Sequence, residues 1–109
     1  MGWLFVCFDL PVMTKIERRQ ASRFRKDLLN RGYFMLQNSV YVRTCVSYEK
    51  TEKYIKEIKS ISPENGSICC FFITDKQWAN AILIEKANYK NSDYAVKIGQ
   101  NEPKQMTFW

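Results

Sequence analysis

Two stretches of this chain, residues 3–8 (Trp-Leu-Phe-Val-Cys-Phe) and 68–73 (Ile-Cys-Cys-Phe-Phe-Ile), are apolar at every position. Both are short and rich in aromatic and branched residues, the signature of strands. Successive side chains of a strand point to opposite faces, so Trp3, Phe5 and Cys7 line one face and Leu4, Val6 and Phe8 the other. A sheet containing two such strands is apolar on both sides, and both sides need cover.

The intervening segments cover one side. Thr14 and Glu17 have the spacing of a capping box and nothing breaks the segment before Gly32, which predicts a helix over 14–31. At about 100° per residue, Ala21, Phe24 and Leu28 form an apolar stripe, and Lys15, Arg19, Arg23 and Lys26 cluster opposite, with Arg18 and Arg25 on a flank. Residues 33–36 and 39–46 read as a hairpin hinged near Gln37 and Asn38, with Val40 and Val42 on one face and Tyr41 and Arg43 on the other. A second helix over 48–61 carries Tyr54, Ile58 and Ile61 on one side, with Ile55 alongside, and ends before Ser62-Pro63-Glu64-Asn65-Gly66. Residues 67–74 form the second two-sided strand, and 78–84 read as a short fifth one.

The order β-α-β-β-α-β plus an extra C-terminal strand predicts an α+β fold, a ferredoxin-like antiparallel sheet over 1–84 with both helices on one face. A sheet-to-sheet homodimer is the simple cover for the other face, C2 being the commonest symmetry. Residues 85–109 are polar with scattered aromatics and read as a tail, mobile or ordered by a partner. Its closing Met106, Thr107, Phe108 and Trp109 suit contact with the same chain, a second copy or another protein.

Composition narrows the chemistry. The chain has 109 residues, enough for one domain, with 17 Lys and Arg against 11 Asp and Glu, a net charge of +6. No window approaches the roughly 20 apolar residues of a membrane span, and the N-terminus lacks the basic region of a signal peptide, so the expected location is the cytoplasm, with no membrane partner. Cys7, Cys45, Cys69 and Cys70 contain no C-x-x-C pair, and the adjacent Cys69 and Cys70 point to opposite faces, so neither zinc nor a disulfide is expected. Histidine is absent, which removes the usual general base and nucleophile activator. A hydrolase of this composition needs a hard metal on carboxylates to activate water.

The positive charge is concentrated. Lys15, Arg18, Arg19, Arg23, Arg25, Lys26 and Arg31 lie on the first helix segment against only Glu17 and Asp27. Arginine forks bind phosphate oxygens bidentately, so phosphate-backbone binding is favoured over a merely solvated cationic face. Asp9, where the first apolar run stops, is equally compatible with a turn residue of the Asp-Leu-Pro bend and with a metal ligand. The metal reading needs a partner carboxylate, which a symmetry mate near a dyad would supply. Glu17, Asp27, Asp75 and Glu85 show no paired catalytic spacing and suit helix-surface and turn roles.

Three blocks in order, Phe8-Asp9-Leu10-Pro11, Phe24-Arg25-Lys26-x-Leu28-Leu29-x-x-Gly32-Tyr33 and Met35-Leu36-Gln37-x-Ser39-Val40-Tyr41-x-Arg43, resemble the small CRISPR-associated protein that partners the spacer integrase. The resemblance covers residues 3–84 and is closest to the form from systems with a single large RNA-guided effector nuclease. It implies a ferredoxin-like homodimer that scaffolds spacer acquisition between two integrase dimers, its basic surface along the double-stranded DNA of the prespacer. It also implies Mg²⁺-dependent endonuclease activity (or Mn²⁺-dependent) on RNA or DNA in some members, with the strand-one aspartate, here Asp9, as metal ligand and catalytic residue. A DNA-binding scaffold is therefore the leading expectation and a toxin-like metal-dependent endoribonuclease the alternative. An RNA-recognition module of the same topology lacks its Lys/Arg-Gly-aromatic signature here.

Overall fold

The computed structural model describes residues 1–89 and 92–97. The elements run β1 (Gly2–Asp9), α1 (Lys15–Asn30), β2 (Phe34–Gln37), β3 (Val40–Cys45), α2 (Thr51–Ile61), β4 (Ser67–Thr74), α3 (Asp75–Ala79), β5 (Ile82–Tyr89) and β6 (Ser92–Lys97). β2, β3, β1 and β4 form one sheet in that spatial order, every neighbouring pair antiparallel. This is the expected ferredoxin-like arrangement, with the two-sided β1 at the centre and β4 at an edge.

The helix-side face is closed by α1 and α2. Leu4, Val6 and Phe8 of β1 and Tyr41 of β3 pack with Phe24 and Leu28 of α1 and Ile58 of α2 in one buried cluster. Truncating a side chain such as Phe24 to Ala there costs about 3–5 kcal/mol. Both ends of α1 are fixed by local chemistry. Thr14 Oγ1 accepts from the Glu17 amide at 3.1 Å, and Glu17 Oε1 accepts from the Thr14 amide at 2.9 Å, completing the predicted capping box. At the other end Gly32, at φ +93°, and Tyr33 donate to the carbonyls of Leu29 and Leu28, a Schellman closure that needs a residue free to adopt positive φ.

Three assignments change. The segment read as a strand over 78–84 begins as helix: Thr74 and Gln77 form a second capping box, which starts α3 and puts Trp78 in it. The strand begins only at Ile82, and β5 continues through Glu85 to Tyr89 and pairs with β6, in residues read as tail. The second helix also starts later than expected, a 3₁₀ turn over Tyr48–Lys50 preceding α2. The terminal Met106 to Trp109 lie outside the described residues.

α3 and β5 matter because they reach the face opposite the helices. Trp78, 3% exposed, and Leu83 pack with Phe5 and Val42 in a second cluster, with Trp3, Phe34 and Ile73 against it. Trp78 meets Phe5 edge-on at 5.3 Å between centroids, and Trp3 Nε1 donates to Asp75 Oδ1 at 2.8 Å. The chain thus covers part of the second face itself. Cys69 and Phe71 on the edge strand β4 stay exposed, as do Ile82 and Ile84 of β5.

Candidate nucleic-acid interface

The cations of α1 divide into two kinds. Lys15, Arg19, Arg23 and Lys26 are exposed, and none forms a hydrogen bond or ion pair among the described residues. Arg18, also exposed, donates through Nη1 to the carbonyls of Val12 at 3.1 Å and Met13 at 3.2 Å, holding the turn that enters the helix. Arg25 is half-buried: Nε donates to the Asn38 carbonyl at 3.1 Å and its guanidinium sits 5.4 Å from the centre of the Phe8 ring. The expected phosphate-binding set therefore contains four free cations and two that also fasten the helix.

Two further arginines have structural partners. Arg31 pairs with Glu57 at 3.4 Å, linking the end of α1 to α2. Arg43, in the third sequence block, donates to the Arg31 carbonyl at 2.9 Å and lies 4.1 Å from the Tyr54 ring centre and 5.6 Å from that of Tyr33. It caps a carbonyl at the C-terminal end of α1, where a cation is favoured. Periodicity could not assign that role, because Arg43 lies on a strand.

Asp9 is the last residue of β1, opposite Ser67 of β4 and on the same face as Phe5 and Cys7. It is exposed, and its carboxylate has no hydrogen-bond or ion-pair partner among the described residues. The backbone beneath it is held tightly: Gly66, at φ +104°, lies so close that a Cβ there would stand 2.7 Å from the Asp9 carbonyl oxygen. No cluster of three or more His, Cys, Asp or Glu able to hold a metal ion exists among the described residues. The described residues around Asp9 thus fall short of a three-ligand site, and a complete one needs oxygens from elsewhere. The other acidic candidates have local duties: Glu17 caps α1 and Asp75 accepts from Trp3.

A strand-end carboxylate, an unneutralised cationic helix and this sheet order occur together in a chain whose residues 1–81 match the family model for CRISPR associated protein Cas2. The chain belongs to the Cas2 family. It is similar to a CRISPR-associated endoribonuclease Cas2 of Flavobacterium psychrophilum, 49% identical over 76 residues, 70% of this chain and 66% of that protein. The protein of the same name from Ligilactobacillus salivarius is 44% identical over 75 residues, 69% of this chain and 74% of the relative. The one from Lacticaseibacillus rhamnosus is 34% identical over 92 residues, 82% of this chain and 91% of the relative. The family match spans β1 to α3, so it includes Asp9 and the whole of α1. No helix among the described residues of this Cas2-family chain is long and apolar enough to cross a membrane.

Proposed function

We propose that this chain acts in CRISPR adaptation as a homodimeric scaffold that binds double-stranded DNA between integrase dimers and carries a metal-dependent nuclease site at Asp9. The observation that carries the reading is the row of four unpaired cations, Lys15, Arg19, Arg23 and Lys26, on the outer side of α1. Unneutralised Arg and Lys on a rigid helix bind phosphates without regard to base, which is what a scaffold for arbitrary sequences requires. Arg18 and Arg25 border the row and keep the helix in place beside the β1 end. Open apolar side chains at Phe71, Ile82 and Ile84 support pairing of two copies through the second face.

At the nuclease site, the chemistry of the donor fits a hard divalent cation such as Mg²⁺ or Mn²⁺, with Asp9 of each copy and phosphate oxygens as ligands. The cation, when bound, supplies an activated water. The protein's own contribution is to hold the Asp9 carboxylate free at the end of a rigid strand while α1 grips the backbone.

A second reading, metal-dependent hydrolysis of RNA as the physiological work, is favoured by the name endoribonuclease that the relatives carry. One preparation separates the two: co-purification with the integrase, integration of a short duplex with and without this chain, and cleavage of RNA and DNA in Mg²⁺. Integration that depends on the chain supports the scaffold; RNA cleavage without any effect on integration supports the alternative.

A further inference from the structure

The two outer edges of the four-stranded sheet differ. β2 is four residues long, whereas β4 runs eight, Ser67–Thr74, with no charged residue, no proline and no register break along its pairing with β1. Its outer side pairs with no strand among the described residues. A long apolar edge of this kind accepts any other strand, and natural sheets cover it or blunt it. We propose that residues 104–109 of the same chain cover it, adding to β4 as an antiparallel strand.

The ladder says which backbone groups are open. The Phe8 amide donates to the Ser39 carbonyl on the β3 side, so by alternation Trp3, Phe5, Cys7 and Asp9 turn their backbone groups toward β4. Their partners Ile73, Phe71, Cys69 and Ser67 turn theirs toward β1. Ile68, Cys70, Phe72 and Thr74 therefore direct theirs outward. The Thr74 amide is taken by Gln77 Oε1 at 2.9 Å, and those of Ile68, Cys70 and Phe72 have no acceptor among the described residues.

Connectivity selects the occupant. Lys97, the last residue of β6, pairs with Ile82, which is joined to Thr74 by the five-residue α3 and a two-residue turn. At about 1.5 Å per helical residue and at most about 3.6 Å per extended one, Lys97 lies within roughly 25 Å of the Thr74 end of β4. The twelve residues 98–109 reach about 40 Å when extended. They arrive at the Thr74 end, so a segment laid along β4 runs opposite to it. Pro103 precedes the segment, at a strand start where a missing N–H is tolerated. Met106 and Phe108 alternate with Thr107 and Trp109, which gives apolar side chains to both faces beside a strand that is itself apolar on both. On β4, Phe71 and Cys69 are exposed on one face and Phe72 half-buried on the other. Residues 104–109 lie beyond the family match, which ends at residue 81.

The test follows amide exchange by NMR in the full chain and in a variant truncated after Pro103. The amides of Cys70 and Phe72 should exchange about tenfold or more faster in the truncated variant, while those of Cys69 and Phe71, bonded to β1, exchange alike in both. In the unmodified chain, cross-strand NOEs should join residues 104–109 to β4. A sample of labelled and unlabelled chains, unfolded and refolded together, should show those NOEs within one chain. This second measurement needs no variant, so it decides the matter even where truncation prevents folding. Fast exchange of Cys70 and Phe72 in the full chain, protection that survives truncation and so belongs to a second copy, or NOEs only between chains would overturn the proposal.

Discussion

The rings of Phe5 and Phe71 stack with centroids 5.1 Å apart and planes 16° from parallel, yet Phe5 is 7% exposed and Phe71 43%. Trp78 closes over Phe5 from the same chain, while Phe71 on the edge strand meets solvent. Apolar surface for a second copy thus remains at Phe71 on the β4 side of the second face, beyond the cover that α3 provides, as well as at Ile82 and Ile84 of β5.

That asymmetry separates two substitutions. Phe5→Glu buries a charge in a closed cluster and is expected to unfold the chain. Phe71→Glu is expected to keep the fold and yield a monomer, because only the proposed contact between copies is charged. Sedimentation with circular dichroism reads both; a well-folded monomer of the unmodified protein at micromolar concentration contradicts the dimer.

Replacing Arg19, Arg23 and Lys26 with Ala should weaken binding to unrelated duplexes equally. For every cation that truly touches a phosphate, its removal lowers the magnitude of the salt slope by about 0.9. Arg25→Ala should behave differently. It gives up the bond to Asn38 and the stacking on Phe8, so it is expected to cost about 1–2 kcal/mol of stability as well. An unchanged slope in the folded triple variant places the DNA elsewhere.

Gly66→Ala combines positive φ with a Cβ that would stand 2.7 Å from the Asp9 carbonyl oxygen and 2.8 Å from Leu10 Cδ2. Neither a backbone oxygen nor the strand beneath it can yield cheaply. The variant should lose thermal stability and, where it folds, displace the β1 end and reduce metal-dependent cleavage; wild-type melting would show that the close approach relaxes without cost.

Much of this was legible in local sequence, where physics is local. The Thr14 and Glu17 spacing and Gly32 delimited α1 because caps and closures are formed by residues within a few positions. Thr74 and Gln77 carry the same signature, but the apolar, branched run from Trp78 to Ile84 suggested a strand and obscured it. Asp9 was readable as a strand end because Pro11 follows. What could not be read depends on long-range pairing. The register that sets Cys7 opposite Cys69, the Asn38 carbonyl that takes up Arg25 and the placement of Trp78 over Phe5 are properties of the folded sheet.

Tyr33 offers a test of the core independent of function. Its hydroxyl is buried without a hydrogen-bond partner among the described residues, in a residue 5% exposed, and burial, outweighing the pull of Arg43, raises its ionisation above the ordinary 10. Tyr33→Phe keeps the ring beside Arg43 and removes the unsatisfied group, so it should raise stability by about 1 kcal/mol. Above pH 10 the unfolded phenol ionises while the folded one holds its proton. Stability then falls with rising pH, and that alkaline loss should be smaller in Tyr33→Phe. Chemical denaturation at pH 7 and pH 11 checks both.

Asp9→Ala separates chemistry from scaffolding. The carboxylate is exposed and unpartnered among the described residues, so its removal should leave folding and duplex binding by α1 unchanged. In a dimer the single substitution removes both protein carboxylates from the proposed metal site, and the absence of histidine leaves no ready alternative base. Mg²⁺-dependent cleavage should therefore fall to background while integration supported by the same preparation persists. Cleavage at the original rate, after a mock purification rules out contamination, would remove Asp9 from the metal site. Loss of integration by an intact dimer would instead make the aspartate essential to acquisition itself, since the cations proposed to hold the duplex remain in place.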